Sequence, residues 1–125
     1  VAVLPLFPGI GADQLDGLLN SGIEGLVLEC YGSGTGPSDN PEFLASLERA
    51  RDKGVVVVAV TQCHDGGVQL DVYEAGSRLR DVGVLSGGGM TREAAFGKLH
   101  GLLGAGLEIA EVRRLVELDL CGELS

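Results

Sequence analysis

The chain has 125 residues and a formal charge of -9 at pH 7, with 9 Lys and Arg against 18 Asp and Glu. That balance excludes a nucleic-acid backbone or an anionic membrane as partner, since both demand clustered cations, and no apolar run approaches the roughly eighteen residues of a membrane span. Hydrophobic residues make up 45% of the sequence, but aromatics only 4%, with no Trp, so a single domain must build its core from Val, Leu, Ile and Ala, a composition suited to parallel α/β packing.

Val1 to Leu6 reads as a first strand, closed by Phe7-Pro8-Gly9. Pro5 has no N–H to give to a ladder, so this strand either lies at the sheet edge or ends near Leu4. From Gly11 to Asn20, Leu15, Leu18 and Leu19 follow helical spacing, and Gly22 supplies a left-handed stop. A second strand, Gly25 to Glu29, empties into a glycine-rich loop, Tyr31-Gly32-Ser33-Gly34-Thr35-Gly36-Pro37. Asn40-Pro41 opens the next helix, with Asn as cap and Pro at the first helical position, where no N–H is needed. Phe43, Leu44, Leu47 and Ala50 are predicted to face the sheet, and Glu42, Glu48, Arg49 and Arg51 to face water, with Gly54 as the stop.

Val55 to Val60 is an almost unbroken β-branched run, the pattern of a central parallel strand. Its carboxyl end delivers Thr61-Gln62-Cys63-His64. Asp71 with Glu74 forms a capping-box pattern that predicts a helix through Tyr73, Leu79 and Val82 to Gly83. A short fourth strand, Val84 to Ser86, runs into Gly87-Gly88-Gly89, after which Thr91 is predicted to cap a helix carrying Ala95, Phe96, Leu99, Leu102 and Leu103. The last helix, about Glu108 to Leu118, places Ile109, Val112, Leu115 and Val116 on one stripe.

Four strands joined by helices, each crossover long enough for a right-handed βαβ unit, predict an α/β fold: a small doubly wound, Rossmann-like, four-stranded parallel sheet flanked by helices. Ligands in such sheets bind outside the carboxyl ends of the strands. Three loops gather there, Tyr31 to Pro37, Thr61 to Gly67 and Ser86 to Thr91, each with hydroxyls and glycines. Cys30, Cys63 and Cys121 cannot all pair within one chain and none stands in a CxxC spacing, which predicts reduced thiols in a cytoplasmic protein. The chain begins without Met, directly on a predicted strand, which reads as a boundary inside a longer protein.

Each chemical reading of these loops has a plain structural rival. Gly32, Gly34 and Gly36 do not open a helix directly after the strand and no GxxxxGK[ST] is present, which argues against a nucleotide site. The same glycines serve equally as a turn leading to Asn40. Thr61, Gln62 and Ser86 suit a small amide or carboxylate, or the backbone of neighbouring loops. Cys30, Cys63 and His64 lack the paired spacing of metal ligands, so no metal site is assigned. Cys63 and His64, adjacent at a strand end, tend to point apart and make a poor nucleophile–base pair. His100 beside Lys98 reads as a solvated or half-buried helical imidazole.

The order of the motifs is more informative than any one of them. Gly25-Leu-Val-Leu-Glu-Cys-Tyr-Gly-Ser-Gly-Thr-Gly-Pro37, Val58-Ala-Val-Thr-Gln-Cys63, Gly66-Gly-Val68, Tyr73-Glu-Ala-Gly76, Gly83-Val-Leu-Ser-Gly-Gly-Gly-Met-Thr91, Glu93-Ala-Ala95, Lys98-Leu99 and Gly122-Glu-Leu124 together resemble the carboxy-terminal domain of type I, cytoplasmic-type L-asparaginases. The resemblance runs nearly end to end. It implies hydrolysis of L-asparagine to aspartate and ammonia, without metal or organic cofactor, by threonine nucleophiles of an amino-terminal domain that lies outside these residues. It therefore implies no catalytic residue in this chain, and it implies asparagine and the amino-terminal domain as partners in a homodimer or tetramer.

By the same resemblance, substrate or effector binding falls to Tyr31, Ser33, Thr35, Thr61, Gln62, Cys63, Met90 and Thr91. In some type I members the cysteine of the Thr-Gln-Cys motif, here Cys63, belongs to a regulatory asparagine site. Thr35 stands where the family loop usually has Asn, and Gly89 where it usually has Asp before Met-Thr. Related domains also occur in part of an archaeal glutamyl-tRNA amidotransferase and in lysophospholipase-type proteins. The alternative reading is a stand-alone module that binds a small amino acid, or only assembles, without catalysis.

Overall fold

The computed structural model describes residues 1–6, 10–30, 41–61, 74–87 and 90–117. Four strands, β1 (Ala2–Pro5), β2 (Gly25–Cys30), β3 (Val56–Thr61) and β4 (Leu85–Ser86), form a parallel sheet in the order β1-β2-β3-β4. Between them lie α1 (Ala12–Leu19), α2 (Pro41–Asp52) and α3 (Glu74–Asp81); α4 (Arg92–Gly104) and α5 (Ile109–Val116) follow β4. Because the order runs in sequence, right-handed crossovers place α1, α2 and α3 on one face of the sheet. After β4, the chain turns back to cover the other face with α4 and α5. Helices thus lie on both sides of the expected four-stranded sheet.

Alternation along each strand divides the core between these two faces. Leu26, Leu28 and Cys30 of β2 and Val57 and Ala59 of β3 pack with Leu15 of α1, Phe43 and Leu47 of α2 and Leu79 of α3. On the opposite face Val27, Val56, Val58 and Val60 meet Ala95 and Leu99 of α4 and Val112 and Val116 of α5. Both faces of β2 and β3 are covered, which is why these strands read as continuous apolar runs rather than alternating ones. Gly25 is needed for the second layer. A Cβ there would lie 2.8 Å from Leu99 Cδ2 and 2.9 Å from Leu103 Cδ1, so the bare backbone lets α4 close onto β2.

Pro5 lies on an edge strand, as one of its two sequence readings required. Leu6 donates its N–H to the Glu29 carbonyl at 2.9 Å, so the alternating backbone groups of Val3 and Pro5 face away from β2, where a missing N–H leaves no hydrogen bond unmade. Gly22, Gly54 and Gly83 all take positive φ, 85°, 82° and 93°, at the turns that follow α1, α2 and α3. These are left-handed stops that a side chain would strain. The expected helix opening at Asp71 and the Asn40 cap fall outside the described residues.

Candidate functional site

The carboxyl end of the sheet is assembled from Cys30, Thr61 and Ser86, the last residues of three strands. Cys30 and Thr61 stand opposite each other in the β2–β3 register. Beyond Ser86 the chain keeps its pairing for one more residue: Gly87 donates its N–H to the Ala59 carbonyl at 2.8 Å, and Met90 closes a turn by donating to the Gly87 carbonyl at 3.1 Å. Thr91 then caps α4, its Oγ1 accepting the Ala94 N–H at 3.1 Å. This side-chain bond satisfies one of the helix's orphan donors. It also sets the amino end of α4 at the carboxyl end of the sheet.

The eight expected binding residues are therefore placed unequally. Tyr31, Ser33, Thr35, Gln62 and Cys63 fall outside the described residues. Thr61 ends β3 at the expected edge. Met90 is buried, 3% exposed, in the core under α4 and α5. Thr91 is exposed, its hydroxyl oxygen engaged by the cap.

Two arrangements at this edge went unread in the sequence. Glu29 shares its side of β2 with Gly25 and Val27, the side that α4 covers, and is mostly buried, its side chain 15% exposed. Arg92 at the start of α4 reaches it at 3.5 Å and also pairs with Glu93 at 3.0 Å. These carboxylates hold the Arg92 guanidinium above its ordinary value, the hydrogen bond to Glu93 contributing most. The same hydrogen bond holds Glu93 below the usual carboxylate range. Strand alternation from Gly25 was the available signal for Glu29. The second arrangement had none: Glu117, which follows α5, accepts the Ser86 N–H at 3.0 Å and pairs with Arg80 of α3 at 3.3 Å. That amide points away from β3, so the carboxylate occupies the place a fifth strand would take.

Cys30 is fully buried, its Sγ 3.9 Å from the Leu28 carbonyl. Burial, and secondarily the charge of Glu29, pushes the thiol from an ordinary 9.0 to about 12. A proton retained in the folded state and released in the unfolded one ties stability to pH. Cys30 contributes fully below pH 9.0, and its contribution is lost as pH rises towards about 12. The expected slope is at most about 1.4 kcal/mol per pH unit. Urea unfolding of wild type and Cys30→Ala across this window checks it: the wild-type loss should be the steeper. Parallel losses would contradict the assignment.

The described part of the edge offers groups that hold and orient. The Thr91 oxygen accepts a backbone N–H, and the Glu29 carboxylate is balanced by a guanidinium. Among the described residues the strand order never reverses, so this sheet shows no topological switch point there, the feature that makes a crevice in open α/β sheets.

Comparison with known proteins accounts for this geometry. Residues 1–116 match the model of the glutaminase/asparaginase C-terminal domain. L-asparaginase 1 of Escherichia coli K12 is 39% identical over 125 residues, which are all of this chain and 37% of that protein. One component of the glutamyl-tRNA(Gln) amidotransferase of Aeropyrum pernix is 40% identical, again over the whole chain but 29% of its own length. The crystal structure of L-asparaginase I from Vibrio cholerae superposes with a TM-score of 0.93 at 40% identity, covering 99% of this chain and 37% of that one. The chain thus spans little more than a third of the asparaginases it matches. By sequence and by fold, it belongs to the glutaminase/asparaginase C-terminal domain family.

Proposed function

We propose that this chain is the C-terminal domain of an L-asparaginase-type amidohydrolase, which hydrolyses L-asparagine with water to L-aspartate and ammonia. The observation that carries the reading is the superposition of nearly the whole chain on one part of a type I asparaginase at 40% identity. The catalytic nucleophiles then belong to an N-terminal domain. This chain supplies the loops at the carboxyl ends of β2, β3 and β4, which help to bind substrate or effector and to complete the site in a homodimer or tetramer. The sequential order of the described strands, with no switch point among them, suits that division of labour. The amidotransferase relative's name also refers to an amide group, which supports the amide reading. A cytoplasmic setting follows from the type I resemblance.

Within this reading Thr61, Gln62 and Cys63, Tyr31, Ser33 and Thr35, and Met90 and Thr91 are the residues that contribute to binding the amino acid. Calorimetric titration of the whole protein with L-asparagine tests it. Saturable binding is expected; no heat up to about 10 mM ligand would leave less than about 3 kcal/mol of binding free energy and overturn the reading. Binding without turnover would instead favour the amino-acid-binding module.

A further inference from the structure

α4 runs back along β2, and the two are joined at both ends. At the amino end of β2 the bare Gly25 lets Leu99 and Leu103 close onto the strand, and in the middle Val27 shares an apolar cluster with Ala95 and Leu99. At the carboxyl end the joint is polar: the Glu29 carboxylate, its side chain 15% exposed, meets the Arg92 guanidinium at 3.5 Å. Glu29 is a rigid point from which to hold another residue. Its carbonyl accepts the Leu6 N–H at 2.9 Å, and its backbone lies between Pro5 of β1 and Val60 of β3 in the register.

What this joint holds is the segment that leads into α4. Gly87 anchors one end of it on β3, donating its N–H to the Ala59 carbonyl at 2.8 Å, and Arg92 anchors the other end on β2. Met90 and Thr91 lie between the two anchors. Met90 is buried, but apolar burial is non-directional and sets depth rather than lateral placement. The Thr91 cap on the Ala94 N–H is local and travels with the helix. The ion pair supplies direction, tying the first turn of α4 to β2 one residue short of the level at which Cys30 and Thr61 stand opposite each other.

We propose that Glu29 is a positioning residue: by holding Arg92 it fixes the far end of the Met90–Thr91 segment against the carboxyl end of β2 and β3, where the amino acid binds. The proposal rests on the amino-acid-binding reading given above and adds to it a residue that acts through another.

The test is steady-state kinetics of the whole protein, as its gene encodes it, with L-asparagine. Arg92, whose side chain is 52% exposed, is the safer residue to change. Arg92→Gln is expected to raise KM about five-fold with kcat unchanged, the mark of lost binding rather than lost chemistry. Five-fold corresponds to about 1 kcal/mol, a coupling within the range for residues in contact. Glu29 has contacts besides Arg92, so Glu29→Gln should raise KM at least as far, and the double variant no further than Glu29→Gln alone. Arg92→Lys keeps the charge and should recover most of the loss. Glu93→Gln removes the other partner of Arg92, at 3.0 Å, and should leave KM unchanged. Hydrogen exchange of the Ala94 N–H, which reads the Thr91 cap, should quicken in both Arg92→Gln and Glu29→Gln.

Wild-type turnover with KM unmoved by Arg92→Gln overturns the proposal and leaves the asparaginase reading standing. So do effects that multiply in the double variant, or a raised KM with Ala94 exchange unmoved, which would mean that Arg92 acts by its charge alone. A folded wild type that neither binds nor turns over asparagine overturns both.

Discussion

Replacing Gly87 by Ala is expected to destabilise the protein by about 3 kcal/mol, the upper part of the range for overpacked sites. A Cβ at this position would lie 2.6 Å from Val60 Cγ1 and 2.8 Å from the Ala59 carbonyl oxygen. The Val60 side chain is itself fully buried and has nowhere to go. The backbone cannot withdraw either, because the Gly87 N–H donates to that same carbonyl at 2.8 Å. The residue also starts the turn that delivers Met90 and Thr91, so its displacement reaches the candidate site. Gly97→Ala is the control. Nothing stands within 4 Å of a Cβ there, and the residue lies inside α4, so the substitution should stabilise by about 0.5–1 kcal/mol. Urea unfolding of the two variants beside wild type reads both, and similar effects of the two would contradict the close approach of β4's exit to β3.

Phe43→Ala is expected to cost about 3–5 kcal/mol. Phe43 is fully buried in the layer between the sheet and α1, α2 and α3. With aromatics only 4% of the chain, few other side chains approach its volume, so the cavity left behind is lined mainly by aliphatic side chains already in close contact. Phe96→Ala removes the same atoms from a site 37% exposed and should cost clearly less than Phe43→Ala, since part of the ring already meets water and the surface it leaves can be filled by solvent. A thermal unfolding series that ranks Phe96 with Phe43 would place Phe96 in a core the structure does not give it.

The difference between these two rings marks where the sequence stops being readable. Periodicity puts both phenylalanines on helices with apolar neighbours. Only the packing of α4 shows that Ala95 and Leu99 meet the sheet while Phe96 turns towards β1 and His100. Local signals fared well because their physics is local: the glycine stops at 22, 54 and 83, the Thr91 cap and the valine run of β3 each depend on a few adjacent residues. Pro5 narrowed the place of β1 to two, and the sheet order decided between them. Long-range polar contacts had no such signal. Glu117 and Ser86 are 31 residues apart, and Glu29 and Arg92 are 63 apart; nothing near any of them announces its partner. The family itself was legible because motif order carries information that no single glycine loop does.

If this chain completes an asparaginase rather than acting alone, ammonia release from L-asparagine will distinguish the two. The assay compares the whole gene product with the 125-residue chain. Turnover is expected from the whole protein and none above background from the chain alone, because the chain's described residues bring no nucleophile and base together. Ammonia release by the chain alone, or its absence from a folded whole protein given asparagine, would contradict it.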